Sequence, residues 1–191
     1  MKNHLAIFAK APRLGQAKRR LAADIGMVAA ARFQRLALDA TVRRLMADRR
    51  WDTWLATTGG AMRWPAGVKR MKQPNGDLGR RMKWAMRGFT PGPVVIIGSD
   101  IPDIQPSHVA AAFRALGRYD VVFGPAVDGG YWLVGTRRRP MLPDLFKAVR
   151  WSTRHALGDT IINLGDKFSY ALLETLIDID DGPALERWLK R

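Results

Sequence analysis

The segment VVIIGSDIPD, Val94 to Asp103, constrains the fold more than any other stretch of this chain. A run of valine and isoleucine leads into a glycine, a serine and two carboxylates. A continuous β-branched run of this kind fits a strand buried on both faces, as in a parallel sheet covered by helices. Gly98 ends the strand, and Pro102 keeps the following turn from starting a regular helix at Asp100. Asp100 and Asp103 are therefore expected at the carboxyl end of a central strand, the edge at which open α/β sheets bind their ligands. Hard carboxylate oxygens there suit Mg²⁺ or Mn²⁺ together with a phosphate-bearing substrate. Taken alone, the segment also reads as an Asp-rich turn that caps the next helix.

The surrounding pattern supports the α/β reading. HLAIFA (His4 to Ala9) is a first strand with a polar loop after it, and DTWLATT (Asp52 to Thr58) is a second. From Met27 to about Arg50 the period is helical, with Phe33, Leu36, Ala37 and Ala40 on one stripe. VKRMKQ (Val68 to Gln73) is a short third strand, followed by a helix from about Leu78 to Phe89. Ser107 is placed to cap a helix reaching Leu116. DVVFGP and GYWLVG form two strands joined by a tight DGG turn. A helix near Thr153 to Leu164, a strand near Phe168 to Leu173 and a helix from about Pro183 to Leu189 follow. Strands alternating with helices imply a three-layer α/β/α sandwich with a mostly parallel sheet, in one domain spanning residues 1–191.

Charge narrows the ligand class. The net charge of +15 is unevenly placed: residues 1–90 hold 20 Lys/Arg against 5 Asp/Glu, and residues 91–191 hold 12 against 12. A cationic half beside a carboxylate-rich half suits a polyanionic ligand, with phosphates on one side and a metal on the other. It also admits a non-enzymatic nucleic-acid-binding protein, with Trp51, Trp54, Trp64 and Trp84 lying among the cations, although Trp54 and Trp84 are more easily core residues. The chain has no cysteine, which excludes thiolate metal sites, disulfides and cysteine nucleophiles. No apolar run reaches bilayer-spanning length, and the expected location is the cytoplasm.

Four further constellations carry chemistry. AKAPRLGQAKRRL, Ala9 to Leu21, sets Lys10, Arg13, Lys18, Arg19 and Arg20 around Gly15, an arrangement in which backbone amides and cations can meet a phosphate. It is neither a Walker A loop nor a dinucleotide fingerprint. In NGDLGRRM, Gly76 and Gly79 allow close backbone approach to a flat ligand, while Asp77 stands where a helix cap would stand. In GPAVDGGYWLVG, Gly129 and Gly130 can take left-handed conformations that aim Asp128 into a cleft, with Tyr131 or Trp132 packing on a ring. The alternation in IDIDDGP puts Asp178 and Asp180 on one face, so that Asp180 could return to the metal as a second ligand, while Asp181 could cap the last helix. The histidines are scattered, and no catalytic triad is visible.

In this order, FAKAPRLGQAKRRLA, GDLGRRM, VVIIGSDIPDI, GPAVDGGYWLVG and RWST resemble the MobA-like bacterial glycosyltransferase family, which includes arsenosugar-biosynthesis glycosyltransferase-like proteins. The resemblance runs from about His4 to Leu189 and implies the GT-A, nucleotide-diphospho-sugar transferase fold. More distantly the chain is similar to molybdenum-cofactor and phospholactate guanylyltransferases. The resemblance implies a Mg²⁺- or Mn²⁺-dependent glycosyltransferase that takes a nucleotide sugar and a small acceptor. The runner-up is a nucleotidyltransferase that joins an NTP to a small acceptor with release of pyrophosphate. Lys18 and Arg20, with Lys10 and Gly15 of the same loop, would meet the donor's phosphates. Gly76, Asp77 and Leu78 would lie near base or ribose, and Asp100 would hold the metal. Asp128, Gly129, Gly130 and Tyr131 would shape the acceptor pocket with Trp151, Ser152 and Thr153, Asp128 being the candidate base. Three departures stand out: Arg19 occupies the threonine position of a KTRL run, DGPAL replaces a PEDL-like segment, and the net charge of +15 is not a feature of that family.

Overall fold

A computed structural model describes residues 1–11, 18–60, 62–139 and 141–190. The chain order is β1 (His4–Lys10), α1 (Arg19–Ile25), α2 (Met27–Met46), β2 (Asp52–Thr58), β3 (Lys69–Lys72), α3 (Leu78–Gly88), β4 (Val94–Ile97), α4 (Pro106–Ala115), β5 (Val121–Pro125), β6 (Tyr131–Thr136), α5 (Ala156–Ile162), β7 (Tyr170–Leu172) and α6 (Gly182–Leu189). The strands form one sheet in the order β3-β2-β1-β4-β6-β5-β7. Every pair is parallel except those of β6, which runs against both β4 and β5.

The apolar run of β4 is buried along its whole length, and its alternate residues feed two separate cores. Val95 and Ile97 face one layer with Leu5 and Ile7 of β1, packed under Leu38, Val42 and Leu45 of α2 and Val109 and Ala112 of α4. Val94 and Ile96 face the other with Ala6 and Phe123, under Met82, Ala85 and Met86 of α3. Period-2 alternation supplies both faces because neither meets water. Truncating Ile97 to alanine removes contacts in such a core at a cost of about 2–5 kcal/mol.

Helix boundaries differ from expectation where local chemistry intervenes. An additional helix, α1, winds from Arg19 within the stretch read as a loop; it buries Leu21, and Gly26 at φ 87° separates it from α2. α4 begins earlier than a Ser107 cap would allow. Gln105 and His108 form a reciprocal capping box, and Pro106 takes the first turn, where its missing amide costs nothing. α5 starts at Ala156 rather than Thr153, because Ser152 at φ 60° and the Thr153 hydroxyl bonded to the Arg150 carbonyl hold a turn ahead of it.

Trp51 is buried in the core and Trp54 is half-buried, whereas Trp84, expected in the core, is exposed. No helix among the described residues is long and apolar enough to cross a membrane.

Candidate active site

The cleft lies at the carboxyl edge of the sheet, where β1 and β4 end and the β5–β6 turn rises beside them. It has a volume of about 300 Å³ and is lined by Asp100, Asp128, Asp178 and Asp180, with Leu78, Tyr131 and Trp151 among its other walls. Ser152 and Thr153 complete the wall next to Trp151.

Lys18 lies behind two of these carboxylates, its side chain enclosed by the protein. The Nζ atom stands 3.2 Å from Asp100 Oδ1 and 2.8 Å from Asp180 Oδ1. Three separate parts of the chain meet there. Asp100 follows β4, and its carbonyl accepts from the Ile179 amide at 3.4 Å. Asp180 arrives on the segment before α6, which is tied to α1 by a hydrogen bond from the Gly182 amide to Asp24 Oδ2 at 2.7 Å. Lys18 itself caps α1 in the left-handed region, at φ 43° and ψ 59°.

The charges tune one another. Burial alone would lower the Lys18 pKa, but the Asp100 and Asp180 carboxylates outweigh it and raise it. Burial likewise works against ionised Asp180, yet Lys18, a hydrogen bond with Asp178 and the nearby Arg20 hold its pKa below the usual carboxylate value. Asp178 moves the opposite way: burial, Asp180 and Asp128 push its carboxyl up to about 6. Negative charge is thus in excess at this edge even with the ammonium in place.

In the same cleft, near enough to Asp178 to raise its carboxyl pKa, the Asp128 carboxylate accepts from the Gly130 amide at 2.9 Å and is otherwise exposed. Gly129 has φ 85°, and a Cβ there would lie 2.3 Å from the Arg154 carbonyl oxygen, so only glycine fits. Tyr131 packs its ring against Phe123 and Trp151. Burial raises its phenol pKa.

The other sequence candidates fall in different places. Leu78 reaches the cleft, whereas Asp77 accepts from the Arg80 amide at 2.7 Å as the cap of α3. Asp77 also faces a separate groove of about 450 Å³ on the outside of α3, beside Arg80, Lys83 and Arg87. Gly76 precedes that cap at φ 127°. Lys10 is exposed at the end of β1, Arg20 is exposed on α1, and Gly15 lies outside the described residues. Asp103 accepts from Trp188 Nε1, away from the cleft cluster. Asp178 is a titratable cleft residue that the sequence did not nominate for the site; its signal was the Ile/Asp alternation that also carried Asp180.

No group of three or more His, Asp or Glu side chains that could hold a metal stands among the described residues. The donors nevertheless fit a hard divalent ion. Asp100 and Asp180 already bracket a cation, the Lys18 ammonium, and Mg²⁺ commonly takes only one or two carboxylates, with water and substrate phosphates filling the remainder.

A structure from Desulfovibrio desulfuricans G20, described as a "putative nucleotide-diphospho-sugar transferase", is 30% identical with a TM-score of 0.86, covering 95% of this chain and 84% of that one. CMP:2-keto-3-deoxy-manno-octonic acid synthetase complexed with CTP shares the fold at 12% identity and TM-score 0.62, covering 98% and 97%. Glucosyl-3-phosphoglycerate synthase from Mycobacterium tuberculosis, in complex with Mn²⁺, UDP and glucosyl-3-phosphoglycerate, does so at 10% identity and TM-score 0.61, covering 93% and 70%. No curated protein sequence matches the chain. The fold is therefore that of the nucleotide-diphospho-sugar transferases and cytidylyltransferases. The family model described as "Uncharacterized protein conserved in bacteria (DUF2064)" matches residues 14–153, and the chain belongs to that family.

Proposed function

We propose that this protein is a glycosyltransferase that moves a sugar from a nucleotide-diphosphate donor to a small acceptor. One observation carries the reading: Lys18, Asp100 and Asp180 converge at the carboxyl edge of the sheet, and Asp128 lines the same cleft. This arrangement can hold a charged diphosphate at the Lys18 cluster and a hydroxyl at Asp128.

Asp100 and Asp180 would hold a Mg²⁺ or Mn²⁺ ion, which when bound supplies charge neutralisation for the diphosphate. Lys18 and Arg20 bind the phosphates and stabilise the negative charge that grows on the leaving nucleoside diphosphate. Leu78 flanks the nucleoside side of the cleft. Asp128, kept in place by the Gly130 amide, orients the acceptor hydroxyl and accepts its proton as the new glycosidic bond forms. Tyr131 and Trp151 form an apolar wall that limits water around the sugar, and Ser152 offers a hydroxyl to the acceptor, while the Thr153 hydroxyl, bonded to the Arg150 carbonyl and the His155 amide, holds the turn that presents it.

Nucleotidyl transfer is the second reading, because the synthetase complexed with CTP shares the fold as well as the synthase complexed with UDP, with TM-scores of 0.62 and 0.61. In that case an acceptor oxygen attacks the α-phosphate of an NTP and pyrophosphate leaves in line. The deciding experiment incubates the protein and Mn²⁺ with panels of nucleotide sugars and NTPs plus candidate acceptors. Release of a nucleoside diphosphate from a nucleotide sugar supports glycosyl transfer. Release of pyrophosphate from an NTP overturns it in favour of the second reading.

A further inference from the structure

We infer that Lys18 is an exchangeable counter-cation: its ammonium holds the position between Asp100 and Asp180 when no divalent ion is present, and gives that position up to the ion as it moves to the donor's phosphates. This rests on the reading of the cleft as a metal-assisted nucleotide site.

The two sides of the ion pair are unequally open. The Lys18 side chain is 5% exposed, whereas those of Asp100 and Asp180 are 52% and 47% exposed. The lysine thus reaches the carboxylates from the protein side while both remain open to the cleft, where an ion with its water shell can approach. An ammonium and a divalent ion cannot share the same carboxylate oxygens without close like-charge contact, so the two compete.

The lysine has somewhere to go. It sits at the cap of α1, outside the helix interior, on a flexible four-carbon stem. Arg20 stands near Asp180 as a second cation and, being exposed, can follow phosphate without leaving a buried charge behind. In the ion-free state Lys18 prevents two neighbouring carboxylates, Asp100 and Asp180, from facing one another uncompensated. Because Lys18 opposes the ion at the carboxylates and assists the phosphates when released, ion and donor bind with positive coupling, and by linkage each strengthens the other equally.

The test measures Mn²⁺ binding alone, by the electron paramagnetic resonance signal of free Mn²⁺, for the full chain and its Lys18→Met and Lys18→Arg variants. Lys18→Met, without its competing charge, is expected to bind Mn²⁺ at least about tenfold more tightly than the unaltered protein, a difference of about 1.4 kcal/mol. Lys18→Arg, which keeps the charge, should remain near the unaltered value. Lys18→Gln repeats the measurement with a polar neutral side chain if Lys18→Met does not fold by circular dichroism.

Equal or weaker Mn²⁺ binding in the folded neutral variants overturns the exchange. A second titration, of UDP, GDP, CDP and ADP in saturating Mn²⁺, separates the two claims. Tighter Mn²⁺ binding without any nucleotide binding keeps the exchange and removes the transferase reading. Unchanged Mn²⁺ binding with nucleotide binding intact does the reverse.

Discussion

Trp188 Nε1 donates to Asp103 Oδ1 at 2.6 Å, joining the last helix to the loop after β4 across 85 residues. Asp100 and Asp103, three positions apart, thereby have different employment: one faces Lys18 in the cleft and the other anchors α6. Asp103→Ala is expected to destabilise the protein by about 1–3 kcal/mol, the usual cost of orphaning a partly buried donor. Asp103→Asn, which keeps an acceptor oxygen, should cost less. Urea denaturation of the two variants checks the order, and equal losses would argue against the hydrogen bond as the cause.

Asp100→Ala should separate binding from folding. The side chain is half exposed, so the variant is expected to fold. Its Mn²⁺-dependent stabilisation by a nucleoside diphosphate should vanish. With ligand at about 100 times its Kd, that stabilisation is about 2.7 kcal/mol, or a Tm rise of about 5–10 °C for a chain of this size. A thermal-shift assay reads it directly, and retention of the full rise in Asp100→Ala would remove Asp100 from the metal site.

Gly129→Ala is expected to damage the β5–β6 turn. The new Cβ would meet the Arg154 carbonyl at 2.3 Å in a left-handed backbone conformation. Strain of this kind costs about 1–3 kcal/mol and shifts Asp128 from its place. Chemical denaturation should show the loss, while acceptor turnover should fall further than Asp128→Asn alone explains if the turn also shapes the pocket.

Acid sensitivity should reside partly at Asp120. Burial works against its charge, but the Ser169 amide and hydroxyl at 2.9 and 2.8 Å, and Arg137, hold its pKa below the ordinary value of 3.8. A depressed carboxyl contributes stability that is present above its unfolded pKa and lost as pH falls through the folded one. The contribution is therefore complete at neutral pH and disappears below about pH 4. Asp120→Asn should be less stable at pH 7 and show a shallower decline below pH 4; parallel acid-denaturation curves would contradict the assignment.

Much of the scaffold was legible because it rests on local pattern. Val94 to Ile97 announced a two-sided strand through β-branching, and Asp52 to Thr58 matched its strand end to end. What escaped was set by non-local contacts or by competing caps. α1 buries Leu21 and packs on α2 and on the distant α6, and the start of α4 rests on a Gln105–His108 exchange that no propensity for serine reveals. The direction of β6 was implied by the short DGG turn, but its insertion between β4 and β5 was not.

The cleft shows the same division. Lys18, Asp100 and Asp180 were each nominated from their own segments, yet that one ammonium would bridge both carboxylates depends on threading residues 176–182 past the end of β4. Asp77 was legible as a cap and serves as one.

The reversal of β6 has a consequence for how such a protein can change. In a wholly parallel sheet each strand leaves the ligand edge through a long crossover, so altering that edge disturbs a helix and its core. Here β5 and β6 are joined by residues 126–130, held by the Ala126 amide on the Gly130 carbonyl at 3.0 Å. One wall of the cleft is therefore a short hairpin tip, docked through the Gly129 carbonyl on the Leu157 amide at 3.2 Å. Apart from Gly129, which the Arg154 carbonyl keeps as glycine, its side chains can be exchanged over evolutionary time, and partner preference can drift, while the phosphate-side charges and the two cores stay as they are.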